Sequence, residues 1–195
     1  MAGTIDIMIR YKGLICFGET DEWSGSDEIY LVTSVATIAN GAPVVRTESH
    51  PNGAPYYDNV NQGASYGGPI APCWVGKAQD LSFTATLFEH DEGDPNAVRD
   101  KVNIAVAGIA GAIIAAAPVT AAFAWAVPLA ADLVNELLGT GDDNLGSVAL
   151  GFTETDVALK VFTPGAEERG IVHDFFTLHQ GQTSTYKAYF DVVIA

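Results

Sequence analysis

Positive charge is what this chain has least of. Nine Lys and Arg stand against 24 Asp and Glu, a net charge of −15 over 195 residues. No basic run occurs anywhere, so a phosphate-backbone binder is excluded and no nucleic-acid partner is expected. Cysteine is nearly absent too. Cys16 and Cys73 form no C-x-x-C pair and have no His at metal-ligand spacing. They read as buried free thiols, with a single disulfide left open. The first residues, "MAGTIDIMIRYKG", lack the apolar run of a secretory signal, so the expectation is a chain made without a cleaved signal, cytoplasmic or released by another route. No H-E-x-x-H is present, and "GTGDDNLG" has no Lys and precedes a strand, which removes zinc-protease and phosphate-loop chemistry. "GASYG", Gly63 to Gly67, matches a hydrolase nucleophile pattern only in letters, because no helix follows it. No catalysis is expected.

What is present is a period of two. Ile5, Ile7, Ile9 and Tyr11 alternate with polar neighbours, which turns one face of a strand inward. Similar runs cover Ile29–Ile38, Val44–Thr47, Leu81–Phe88, Ser147–Phe152, Val157–Phe162 and Thr185–Ile194. About eight short strands separated by turn signals predict an all-β fold, an antiparallel eight-stranded β-sandwich forming a single domain over residues 1–195. The Gly-, Pro- and Asn-rich passage from Glu48 to Lys77 reads as turns and loops with at most one irregular strand.

One segment breaks this pattern. From Asn103 to Ala131 there is no charged residue, and Ala and Gly dominate. Asp94-Pro95 is a helix start, with Asp as N-cap and Pro at the first helical position. Leu137-Leu138-Gly139 is a stop, since Gly accepts the left-handed conformation past a helix end. Pro118 must interrupt a regular helix and Pro128 must kink the second arm. The spacing therefore predicts a helical hairpin inserted over residues 95–139.

Carboxylates crowd both flanks of that insertion: Glu89, Asp91, Glu92 and Asp94 before it, Asp142 and Asp143 after it. A third acidic turn, "ETDEWSGSDEIYLV", lies far upstream, with Asp21 and Asp27 six residues apart. With the helices lifted out, the flanks join as strand, E-x-D, loop, D-x-x-G, strand. Together these stretches resemble the calcium loops of the C2 domain. In that family the first loop carries two Asp six residues apart, and the third carries D-x-D and then D-x-x-G. The resemblance implies a non-catalytic, calcium-binding (Ca²⁺) C2-like module with Asp21, Asp27, Glu89, Asp91, Asp142 and Asp143 as metal ligands. Its coordination chemistry is sound: Ca²⁺ takes oxygen ligands at about 2.3–2.6 Å, and short Asp side chains at the ends of a tight turn can converge on one centre. A carbonyl such as that of His90 could fill a remaining position. The pattern departs from the family at Glu89, which replaces an Asp, and at Glu28, where Pro is usual. The Lys-rich strand used there for phosphoinositides has no counterpart.

In C2 domains the calcium loops meet the membrane, so the resemblance implies that the apolar insertion sits at a phospholipid-binding or partner-protein end. Ile113, Ile114, Phe123 and Trp125 are its candidate membrane or partner contacts. Three states of the hairpin stay open: packed on its own sandwich, buried between protomers of a self-assembling homo-oligomer, or inserted in a membrane as a membrane-perturbing, pore-forming element.

Overall fold

The computed structural model describes residues 5–18, 27–91, 94–116, 142–162, 170–179 and 182–195. Nine strands and two helices lie among them. The strands are β1 (Asp6–Gly18), β2 (Asp27–Ala39), β3 (Ala42–His50), β4 (Tyr57–Val60), β5 (Ser65–Lys77), β6 (Leu81–Glu89), β7 (Asp143–Phe152), β8 (Gly170–His179) and β9 (Gln182–Ile194). The helices are α1 (Pro95–Ala116) and α2 (Glu154–Phe162). Sheet A runs β5-β1-β9-β8, and sheet B runs β3-β2-β6-β7 with β4 beside β2. Every pairing is antiparallel.

The period-two pattern does what the pleat requires. Ile7, Ile9 and Tyr11 of β1 meet Ile29, Leu31 and Val35 of β2, and Phe83 of β6 packs edge-on to Phe190 of β9 with ring centroids 4.9 Å apart. These residues fill one core between the two sheets. The alternate residues of sheet B face the other way: Tyr30, Val32, Ala36 and Phe88 form a second cluster with Val98, Val102, Ala105, Val106 and Ala110 of α1. The mostly β architecture of two antiparallel sheets thus carries α1 on the outer face of sheet B.

Several boundaries differ from the sequence reading. Residues 48–77 are not mainly loop, because β5 runs 13 residues through them. Its Pro69 and Pro72 are tolerated since β5 is the edge of sheet A, where an unpaired N–H side costs nothing. Opposite it stands Gly13, where a Cβ would lie 2.6 Å from the Tyr66 carbonyl oxygen, so only glycine lets the two backbones close up. Residues 157–162 are not a strand. Thr153 and Asp156 close a reciprocal cap, with the Thr153 N–H donating to Asp156 Oδ2 at 2.9 Å and the Asp156 N–H to Thr153 Oγ1 at 3.2 Å. Val157 and Val161, four apart, then face the core on α2. Strand β8 was not anticipated. Asn40 and Gly41, both at positive φ, make the two-residue hairpin between β2 and β3.

The predicted helix start holds: the Asn96 N–H donates to Asp94 Oδ1 at 2.9 Å. The second arm of the predicted hairpin, with Pro118, Pro128 and the stop at Gly139, lies outside the described residues.

Candidate functional site

One end of sheet B collects acidic residues from separate parts of the chain. Strand β2 begins there at Asp27, β6 ends there at Glu89, and β7 begins there at Asp143. Glu89 is in register with Ile29 on one side and with Asp143 on the other. The His90 N–H donates to the Glu28 carbonyl at 2.7 Å, which ties the start of β2 to the segment after β6.

The carboxylates then divide between the two faces of the sheet. Asp27 and Glu89 point toward the core between the sheets and are 0% and 3% exposed. The buried Tyr186 hydroxyl donates to Asp27 Oδ2. Burial, with the hydrogen bond to Asp27 second, raises the Tyr186 phenol above its ordinary range and keeps it protonated. Asp142 sits on the other side. Its Oδ2 accepts from the Tyr30 hydroxyl at 2.8 Å and its Oδ1 accepts from the Asp91 N–H at 3.2 Å. His90 Nδ1 lies 3.3 Å from the same Oδ1, without hydrogen-bond geometry. The His90 ring stacks on Tyr56 at 4.6 Å, and Tyr30 stacks on Phe88 at 5.0 Å. Burial, and then the bond to Asp142, raises the Tyr30 phenol as well.

Of the six predicted ligands, Asp27 and Glu89 therefore share a face, with Asp143 beside Glu89 by register. Asp142 is engaged by Tyr30 and Asp91 on the opposite face. Asp91 is exposed and follows the end of β6, so the rule that alternate residues share a face does not extend from Glu89 to it. Asp21 lies outside the described residues, as do Phe123 and Trp125; Ile113 and Ile114 belong to α1, but their side chains fall outside the description. The oxygen chemistry suits a hard divalent cation. Among the described residues, however, no three His, Cys, Asp or Glu side chains are gathered closely enough to hold a metal ion. Sequence reasoning missed Tyr30 and Tyr186, the donors that hold two of these acids. Tyr30 was visible in "SDEIYL", but nothing in the local pattern links Tyr186 to a residue 159 positions away.

A second polar cluster lies inside the core. His50 Nε2 is 3.0 Å from Thr33 Oγ1 and 3.7 Å from Cys73 Sγ, and its ring lies 4.6 Å from Tyr11. Burial lowers the His50 imidazole to about 4, and burial, partly offset by the hydrogen bond from Thr33, pushes the Cys73 thiol up to about 12, so both are neutral near pH 7. Cys16 and Cys73 are both buried and are not joined in a disulfide. No helix among the described residues is long and apolar enough to cross a membrane. No protein-family model matches the chain, and no curated protein matches it.

Proposed function

We propose that the chain is a calcium-binding, C2-like module in which an ion at the acidic end of sheet B makes attachment to a membrane surface or a partner protein depend on calcium. The observation that supports this reading is the gathering of Asp27, Glu89, Asp91, Asp142 and Asp143 at one sheet end from three stretches of chain distant in sequence. In this reading Asp27 and Glu89, which share a face, belong to the donor set, and Asp21, Asp91, Asp142 and Asp143 are its further carboxylates. Like charges held this close repel, and a divalent cation offsets that repulsion. The seating of α1 on sheet B favours a resting state in which this arm of the insertion is stowed on its own sandwich.

Titration calorimetry with Ca²⁺ tests the reading. The wild type should give a binding heat that is lost in the Asp21→Asn, Asp91→Asn double variant; Asp91 is exposed. Calcium at about 100 times its Kd should also stabilise the fold by about 2.7 kcal/mol in a thermal melt. A wild type that shows neither heat nor a melting shift sinks the proposal. Vesicle sedimentation with and without calcium then separates membrane attachment from protein partners.

A further inference from the structure

The face of sheet B that carries α1 is not an ordinary hydrophobic surface. Between its apolar residues runs a row of hydroxyls: Ser34 and Thr47 on β2 and β3, where α1 packs, and Thr84, Thr86 and Ser147 farther along on β6 and β7. They bond among themselves and to the sheet. Ser34 Oγ and Thr47 Oγ1 are 2.9 Å apart, Thr84 Oγ1 donates to the Ser34 carbonyl at 3.4 Å, and Ser147 Oγ donates to Thr86 Oγ1 at 3.0 Å. Within this row α1 contributes one side-chain hydrogen bond, from Thr47 Oγ1 to Asn103 Oδ1 at 3.0 Å. The floor is thus satisfied without the helix, and water could replace what the helix supplies.

The helix is also lightly anchored. The described side chains it adds to the buried cluster are three Val and two Ala, so the turns from Pro95 to Gly111 remove little apolar area from water. Its far side is open, with Ile104 72% exposed. The cap belongs to the helix: Asp94 accepts from the N–H groups of Asn96, Ala97 and Val98, so no bond from the sandwich is needed to start the first turn. At the neck, the Asp91 N–H to Asp142 bond joins the two flanks of the insertion, and Tyr30 ties that clasp to sheet B. Movement of α1 past Asp94 leaves this clasp closed.

We propose that α1 is a detachable layer, which lifts from sheet B with its cap intact while the two-sheet sandwich stays folded. This holds whether or not calcium binds, and it defines the moving part of the molecule: a helix whose charged and polar residues, Asn96, Arg99, Asp100, Lys101 and Asn103, all lie before residue 104 and whose residues from there on are Ala, Gly, Val and Ile. Native-state hydrogen exchange over a series of sub-denaturing urea concentrations tests it. The amides of α1 should exchange through a shared sub-global opening, on the order of 100-fold faster than those of β2 and β6. Cross-linking α1 to β3 through Thr47→Cys, Asn103→Cys should slow α1 toward the strand rate and leave the strands unchanged. Release of the cross-link should restore the faster exchange. Exchange of α1 and the strands at one common wild-type rate overturns the proposal. So does fast α1 exchange in the cross-linked protein, which would mark fraying within the helix instead of lifting. The wild-type measurement decides even if the double variant does not fold.

Discussion

Sheet B is covered on both faces, and its two covers are made of different material. Toward sheet A it presents Ile29, Leu31, Val35, Phe83, Ala85 and Leu87, which meet Ile7, Ile9, Tyr11 and Phe190 in an aromatic and aliphatic core. On the face that carries α1 it presents Tyr30, Val32 and Phe88 interrupted by buried Ser34, Thr84 and Thr86, and the described buried side chains of α1 that join them are Val and Ala. Burying a hydroxyl contributes little net stability even when it is hydrogen-bonded. Both faces bury aromatic rings, Tyr30 and Phe88 on the outer one, so the contrast rests on the hydroxyls of the outer face and on the small side chains α1 brings to it, which make the outer interface the weaker of the two.

The largest expected contrast comes from truncating each side. Phe83→Ala in the inner core should cost about 3–5 kcal/mol in urea unfolding, because it leaves a cavity beside Phe190. Val102→Ala on α1 should cost about 1.5 kcal/mol at most, two methyl groups' worth. Equal losses would remove the distinction between the two interfaces.

Acid should act on the inner side through His50. Its folded value, about 4, lies below its ordinary 6.5, so the folded state favours the neutral ring. The stabilisation is complete above about pH 6.5 and is lost as the pH falls toward 4, amounting to about 3 kcal/mol. Unfolding free energies of wild type and His50→Gln measured from pH 7 to 4 should converge by that amount. Parallel curves would place the acid sensitivity elsewhere.

At the neck of the insertion, Tyr30→Phe removes a donor from a buried carboxylate and should cost about 1.5–3 kcal/mol. If α1 and the sandwich respond differently, hydrogen exchange in this variant should rise first in residues 95–116. The smallest effect is expected at the surface, where Arg46→Ala breaks the exposed pair with Glu48 at 2.8 Å and should change stability by less than about 1 kcal/mol.

Much of the fold was legible where a side chain's neighbours in sequence are also its neighbours in space. The alternation in β1, β2, β6 and β9 reports burial on one face, and Asp94-Pro95 caps its own helix. The errors share a cause. Strand β5 reads as loop because Gly and Pro are penalised inside a sheet, yet the same residues are acceptable on an edge, and edge position is set by which strands pair. Residues 157–162 alternate weakly enough to pass for a strand, while the deciding signal, Thr153 with Asp156, stands just ahead of them. At the acidic end, the crowding of carboxylates was plain from sequence. Their division between the two faces was not, because it depends on strand parity and on where β6 stops.

By itself, the sequence determined that this protein is acidic, mostly β and interrupted by an uncharged Ala- and Gly-rich segment, because composition and periodicity are properties of short stretches. Only the tertiary structure decided that Tyr186 meets Asp27, that Asp142 meets Tyr30, and that Asn103 of α1 meets Thr47. Those contacts join positions far apart in the chain, and no local preference specifies which strands become neighbours.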